Sequence, residues 1–498
     1  MNIPGIPILY ENATKTTIVI DIPLSIAHAQ GQSGSPRELY SISPLEESFS
    51  LTAPKSEKAE KNVAARNGVD SVIAGRYATV IEKALEEVRT DWKIRGAETQ
   101  IWARRRRCRE EYFNRKIKTK KRKRDGVEEL RNVKVGESVD ELLTTESGTL
   151  VDGHHQINRE LVPSMDLFSQ EEDRMHSLMT AIKNRESPKV KLLSKHLLYA
   201  SEVWNESTSE RDTTPDSVFH NPIPQQMYLS MTETKTDLSS SPKPIVFHLP
   251  PLSTYILSDC ADPSYLRTTV RENRHQFHDR PTFDFILLDP PWPNTSAKRK
   301  SSYSTVSQLR DLKRMLLDMD LDTYIAPSGY VGVWTTNAPK IRHLVLGEDG
   351  LFEAWNLTLV EKWIWVKTTR HGEPVTSVRG AWRKPYEVLL LGKAPANRMA
   401  FAEELEEDRI VERVIFGCPD LHSRKPCLKV LIEGLSMVKK GGKVLEIFAR
   451  YLVAGWWSWG DEVLKFNWEK YWTHEDSEED AGHSIGYVGT DEKSYGMS

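Results

Sequence analysis

From about residue 246 onward, short β-rich runs alternate with helical patterns, and this alternation constrains the fold more than any other feature. The runs are TYILS (254–258), FDFILL (283–288), YVGVW (330–334), VEKWIWV (360–366), YEVLLL (386–391), ERVIF (412–416) and KVLEIF (443–448). Amphipathic helices fall between them, clearest at 427–438 and at 305–318, where Val306, Leu309, Leu312 and Leu316 recur at helical spacing. Strands alternating with helices predict βαβ units, hence an α/β fold with a largely parallel sheet covered on both faces. Ligands of such sheets bind outside the carboxyl ends of the strands.

One strand ends abruptly at that edge. FDFILL runs directly into Asp289-Pro290-Pro291-Trp292, with Lys298, Arg299, Lys300 and Tyr303 just beyond. Two consecutive prolines fix φ and remove two N–H donors, so the turn is stiff and its carbonyls are predicted to stay available as acceptors. Trp292 offers a flat face for stacking on an unpaired nucleobase. A planar aromatic amine, such as the exocyclic N6 of adenine, suits this corner. Its lone pair is delocalised into the ring, which makes it a poor nucleophile. Asp289 and the Pro290 carbonyl, accepting its two N–H bonds, draw the nitrogen toward a tetrahedral geometry while an electrophilic methyl sulfonium approaches. Such catalysis is positioning plus electrostatics, with no metal and no covalent nucleophile. Asp-Pro-Pro alone also reads as an ordinary strand-ending turn. The full tetrapeptide is expected by chance in roughly one chain in a thousand of this length.

The rest of the chain is less regular. Residues 1–65 mix short apolar runs with Ser, Pro and Gly and are predicted to be weakly ordered. A helix is predicted from Ser71 to about Ile94, leading into a segment in which 13 of the 21 residues from Arg104 to Arg124 are Lys or Arg. Its end, Lys120 to Arg124, reads as a nuclear-import signal, and the whole segment as an arm for phosphates. Residues 133–165 and 205–245 read as linkers, and the stretch between them, with Met179, Leu192 and Leu193, as helical. The divisions expected are therefore 1–65, a helical and basic region at 66–245, a folded domain at 246–472, and an acidic disordered tail at 473–498.

Composition narrows the function classes. Charged residues make up 28% of the 498 and the net charge is −3, as in a soluble protein with some disordered content. Four cysteines without CxxC spacing argue against a disulfide scaffold or cysteine-rich zinc site. No apolar stretch approaches the length of a membrane span, and no secretory signal is evident.

DPPW after an apolar strand resembles the signature of the MT-A70 family, adenine N6-methyltransferases of RNA and DNA. DPPWPNTSAKRKSSYS (289–304), RKPYE (383–387), LHSRKP (421–426) and FARYLVAGWWSWGDEVLKF (448–466) are similar to its methyltransferase-like protein four branch. The resemblance covers roughly 246–472 and implies a Rossmann-like sheet, S-adenosylmethionine as cofactor and an adenine amine as target. It assigns the catalytic corner to Asp289, Pro290, Pro291 and Trp292. It assigns the cofactor adenine to Asp259 and Cys260, the methionine carboxylate to Lys425, and the ribose to Arg450, Asp461 and Glu462. A lysine just before a helix start at about 427 suits an anion. Asp461 stands where the family has Asn, and Tyr451 replaces the Asn of the nearest branch. Lys298, Arg299, Lys300, Tyr303, Lys384, Tyr386 and Glu387 would face the substrate. The function expected is N6-adenine methylation of nucleic acid, RNA before DNA, extending to 2′-O-methylated adenosine in small nuclear RNA, in the nucleus. A catalytically inactive nucleic-acid-binding scaffold is the alternative. Oligomeric state is not legible.

Overall fold

The computed structural model describes residues 6–31, 37–49, 71–94, 102–104, 175, 179–180, 189–193, 217–232, 245–277, 280–293, 309–380, 384–421 and 424–473. The basic segment 105–124, the loop carrying Lys298, Arg299, Lys300 and Tyr303, and the acidic tail lie outside these residues.

The strands, in chain order, are β1 (Ile8–Glu11), β2 (Thr17–Ile20), β3 (Lys189–Leu193), β4 (Val218–His220), β5 (Met227–Thr232), β6 (Ile245–Leu249) and β7 (Thr254–Leu257). They continue with β8 (Phe283–Leu288), β9 (Ile325–Thr335), β10 (Thr358–Lys367), β11 (Tyr386–Lys393), β12 (Val411–Gly417), β13 (Val444–Ile447) and β14 (Trp457–Gly460). Eleven of them form one sheet in the order β1-β2-β12-β10-β11-β9-β8-β13-β14-β7-β4. The run β9-β8-β13-β14-β7 is parallel throughout; β11, β4 and β1 are antiparallel to their neighbours. The predicted α/β architecture with a mostly parallel sheet is therefore what the chain adopts. A separate antiparallel sheet pairs β3, β5 and β6.

Burial on both faces explains the apolar runs. Along β8, Phe285 and Leu287 enter one core, while Phe283, Ile286 and Leu288 enter the other, all at most 4% exposed. Helices α1 (Ile22–Ala29), α2 (Ser71–Ile94), α3 (Ser264–Phe277) and α4 (Leu309–Asp318) are followed by the short α5 (Leu321–Tyr324), α6 (Pro339–Leu346), α7 (Leu351–Ala354) and α8 (Lys429–Gly434). The i, i+4 pair Leu312 and Leu316 seats α4 on the second core. On α2, Tyr77, Ile81, Leu85, Val88 and Trp92 make a buried stripe, and Glu87 accepts from Asn12 and Thr17 at 2.8 and 2.6 Å.

Several segments depart from expectation. Residues 8–29, read as weakly ordered, supply β1, β2 and α1, and β2 pairs in parallel with β12. Three-residue β4 and six-residue β5 lie inside the presumed 205–245 linker. Leu192 and Leu193 sit in strand β3 rather than a helix, whereas Met179 is helical. The helix read at 427–438 is only Lys429–Gly434, because Ser436 takes a left-handed φ of 56° that breaks the turn.

Candidate active site

The topology creates a crevice beside Asp289. From β7 to β8 and from β8 to β9 the chain crosses the second core, through α3 and α4. From β12 to β13 it crosses the first core, through α8. The segments leaving the adjacent strands β8 and β13 therefore diverge to opposite faces, and the gap between them is the switch point where α/β sheets bind ligands. Because β7, β14, β13, β8 and β12 all run the same way, one edge collects Asp259 after β7, Asp461 and Glu462 after β14, Arg450 after β13, Asp289 after β8 and Lys425 after β12.

At the centre lies a chain of alternating charges. Lys425 Nζ is 3.0 Å from Asp289 Oδ1 and 2.6 Å from Glu387 Oε2, and Lys367 Nζ is 2.8 Å from Glu387 Oε1. Desolvation would push the Glu387 carboxyl up, but the two ammonium groups outweigh it and hold it down at about 2. Lys425, desolvated yet between two carboxylates, is raised above the ordinary lysine range. The face of Trp334 lies 5.0 Å beneath the same ammonium. Lys425 is thus set to hold Asp289 in place. The six-residue α8 begins four residues after Lys425, two later than expected, and no side-chain cap takes up its first N–H groups. Glu387, expected on the substrate side, is the middle of this ion network.

The proline turn is tied down from both ends. Asp289 N–H still donates to Ile447 at 3.4 Å, so its carboxylate projects from the last position of the ladder. Trp292 N–H donates to the Pro290 carbonyl at 2.8 Å, closing a three-residue turn. That carbonyl is therefore already engaged, contrary to the expectation that it stands open; its second lone pair remains for an amine. The Trp292 indole Nε1–H donates to Trp334 O at 2.8 Å, which fixes the half-buried ring by its edge.

On the β13 side, a cleft is lined by Asp289, Trp334, Lys425, Leu428, Glu446, Phe448, Arg450 and Trp456, among others. Phe448 turns away from β13 with φ of 63°, a left-handed conformation that a bulky residue adopts at a cost. Gly460 follows from this turn: a Cβ there would come within 2.8 Å of the Ala449 carbonyl. Glu446 was not anticipated. Burial and the Asp289 carboxylate raise its carboxyl to about 8, so it is protonated at neutral pH. Its signal was available in VLEI, where a carboxylate interrupts an otherwise apolar strand.

The cleft itself is narrow, about 30 Å³, but together with the neighbouring strand ends it gathers groups that could meet a cofactor carrying a carboxylate, a ribose and an amine-bearing ring. Lys425 supplies the cation for the first. Arg450 and Glu462, paired at 3.2 Å, and Asp461 supply donors and acceptors for the second. Asp259, exposed at the end of β7, offers an acceptor for the third, its Oδ1 also taking the Ala261 N–H at 3.0 Å. Cys260 is buried, its thiol 3.9 Å from the Trp459 carbonyl, so only its backbone suits a contact.

The substrate-side expectations fare differently. Tyr386 opens β11 with 1% exposure, its ring edge-on to Tyr77 at 5.9 Å, and forms part of the wall of a cavity beside β9. Lys384 Nζ donates to the Val378 carbonyl at 3.0 Å, and burial lowers its pKa. Among the described residues, no cluster of three or more His, Cys, Asp or Glu could hold a metal, and no helix is long and apolar enough to cross a membrane.

The MT-A70 family model matches residues 283–462. An N6-methyladenosine RNA methyltransferase MTA1 of Cryphonectria parasitica is 42% identical over 210 residues, 42% of this chain and 60% of that protein. The N(6)-adenine-specific methyltransferase METTL4 of Homo sapiens is 32% identical over 292 residues, 56% of this chain and 55% of that protein. A DNA N6-methyl methyltransferase of Caenorhabditis elegans is 28% identical over 228 residues, 46% of this chain and 56% of that protein. The chain spans between half and two thirds of the length of each of these relatives.

Proposed function

We propose that the chain, whose residues 283–462 match the MT-A70 family model, is an S-adenosylmethionine-dependent methyltransferase acting on the N6 amine of adenine in nucleic acid, RNA before DNA. The observation that carries this is the Asp289-Pro290-Pro291-Trp292 turn at the switch point, with Lys425 3.0 Å from the Asp289 carboxylate.

S-Adenosylmethionine, when bound, supplies an electrophilic methyl group; Lys425, Arg450, Asp461, Glu462 and Asp259 would hold it, with the Cys260 backbone alongside. The protein's own work is positional. The Asp289 carboxylate accepts one N–H of the amine and favours the positive charge that develops on nitrogen. The Pro290 carbonyl accepts the other through its remaining lone pair. Trp292 holds one side of the base, its indole clamped to β9. The Lys425–Glu387–Lys367 chain fixes the carboxylate, so little reorganisation accompanies reaction. A base inside a duplex has to leave the stack to reach this corner, which favours unpaired adenines.

The RNA preference rests on the Cryphonectria parasitica relative, whose name gives RNA; the METTL4 name specifies adenine N6 without a nucleic acid, and the worm relative supports the DNA alternative. Lys120 to Arg124 support nuclear import, and 2′-O-methylated adenosine in small nuclear RNA is the RNA target proposed. Matched RNA and DNA oligonucleotides incubated with the full chain and labelled cofactor, then digested and read by nucleoside mass spectrometry, test the reading. N6-methyladenosine in RNA is the result expected. Methylation of DNA alone replaces the substrate assignment. Failure to bind the cofactor in calorimetry would leave the scaffold alternative.

A further inference from the structure

A second cavity, of about 380 Å³, opens at the same sheet edge on the opposite face from the cofactor cleft. Trp334 lines the cleft and Thr335 the cavity, as period-2 alternation along β9 requires. The volume falls in the range of small-ligand sites. Its far wall is α2, which lies outside the matched residues 283–462 and presents Ile73, Ala74 and Tyr77.

Its chemistry is distinctive. Arg342 lines it and donates through Nη1 to the Tyr77 hydroxyl at 3.1 Å. Among the described residues no carboxylate lines it; the nearby Glu407 and Glu412 are taken up by Arg76 at 2.6 and 3.1 Å, and Glu407 also by Lys362. The Thr336 hydroxyl is buried and has no hydrogen-bond partner among the described residues, an uncommon state that costs stability unless something else satisfies it. Asn337, also in the lining, donates through its amide nitrogen to the Tyr386 carbonyl at 2.7 Å, and its amide oxygen is an acceptor by type. A cation, a phenol, an unpaired hydroxyl and an amide around apolar walls suit a phosphate-bearing heterocycle. The cavity also lies on the β8–β9 side of Asp289, away from the cofactor strands β13 and β14.

We propose that this cavity binds the nucleotide adjoining the target adenosine in a single-stranded substrate, with Arg342 on its phosphate and Thr336 on its base. The inference rests on the methyltransferase reading above and deepens it by naming how the strand is gripped. It also gives α2 a role in substrate selection.

The test uses the full chain and a short single-stranded RNA with one adenosine, in which the base on either side is removed in turn. Binding is read by fluorescence anisotropy and methyl transfer by label incorporation. For the unaltered protein, loss of the base on one side weakens binding about tenfold, within the span measured for single bases in such sites. Arg342→Ala and Thr336→Val bind the intact RNA more weakly and lose most of that penalty. Thr336→Val keeps or raises the melting temperature, because it removes a buried hydroxyl without a partner. Equal penalties in the unaltered protein and both variants would overturn the inference, as would a KM for RNA unchanged in both. If the unaltered protein methylates neither form, the methyltransferase reading fails instead, and the two failures are told apart.

Discussion

Asp289, Lys425, Glu387 and Lys367 form a linear charge sequence whose members depend on one another. Replacing Glu387 by Gln leaves the partly buried Lys367 ammonium without its carboxylate and Lys425 with Asp289 alone, and should cost about 2 kcal/mol in urea unfolding, between the scales of exposed and buried pairs. The same network sets an acid limit. Glu387 has a folded pKa depressed to about 2, so its stabilisation is complete above about pH 4.5 and is lost as pH falls toward 2. Glu446 behaves oppositely. Its folded pKa is raised to about 8, so the folded state keeps a proton that the unfolded state has released, and stability declines from about pH 4.5 to 8. Glu446→Gln should therefore match the parent melting temperature near pH 5 and exceed it at pH 8; a constant difference across that range refutes the assignment. At this scale Asp289 and Trp292 were legible because their tetrapeptide is rare. The engagement of the Pro290 carbonyl and the burial of Tyr386 were not, since both depend on partners brought in by folding.

Strand β8 was read to the residue because its ends are marked locally, by the Thr-Phe entry and the Asp-Pro exit. Strand β2 was missed for the opposite reason: TIVI is four residues long, and its pairing partner β12 lies almost four hundred residues away. Helix α8 was overread because Leu428, Leu431, Ile432 and Leu435 keep the helical period, while Ser436, which breaks it, carries no strong stop signal. The lesson from these three is that local punctuation survives in sequence and long-range pairing does not. Ile20 in β2 is fully buried, so Ile20→Ala should cost about 3 kcal/mol by urea denaturation; a cost near zero would mean that the N-terminal strands are dispensable.

Over the whole molecule, the sheet sorts its chemistry by strand. The groups proposed to hold the cofactor follow β7, β14, β13 and β12, the proposed acceptor corner follows β8, and the α2-walled cavity lies beyond β9. This order was foreseen only in outline, because the alternation of strands and helices gives the sheet while α2's place against it is set by contacts between distant segments. A ligand that binds only the folded chain stabilises it, so S-adenosylmethionine at a hundredfold excess over its Kd should add about 2.7 kcal/mol. Lys425→Met should remove most of that gain at the same concentration. The most direct measurement is incorporation of labelled methyl into a single-adenosine RNA by the parent chain and by Asp289→Asn, both shown to be folded and to bind cofactor. The prediction is N6-methyladenosine from the parent and at least about a 100-fold loss in the variant, the scale of removing one electrostatic contact to a transition state. Equal incorporation by the two proteins contradicts it.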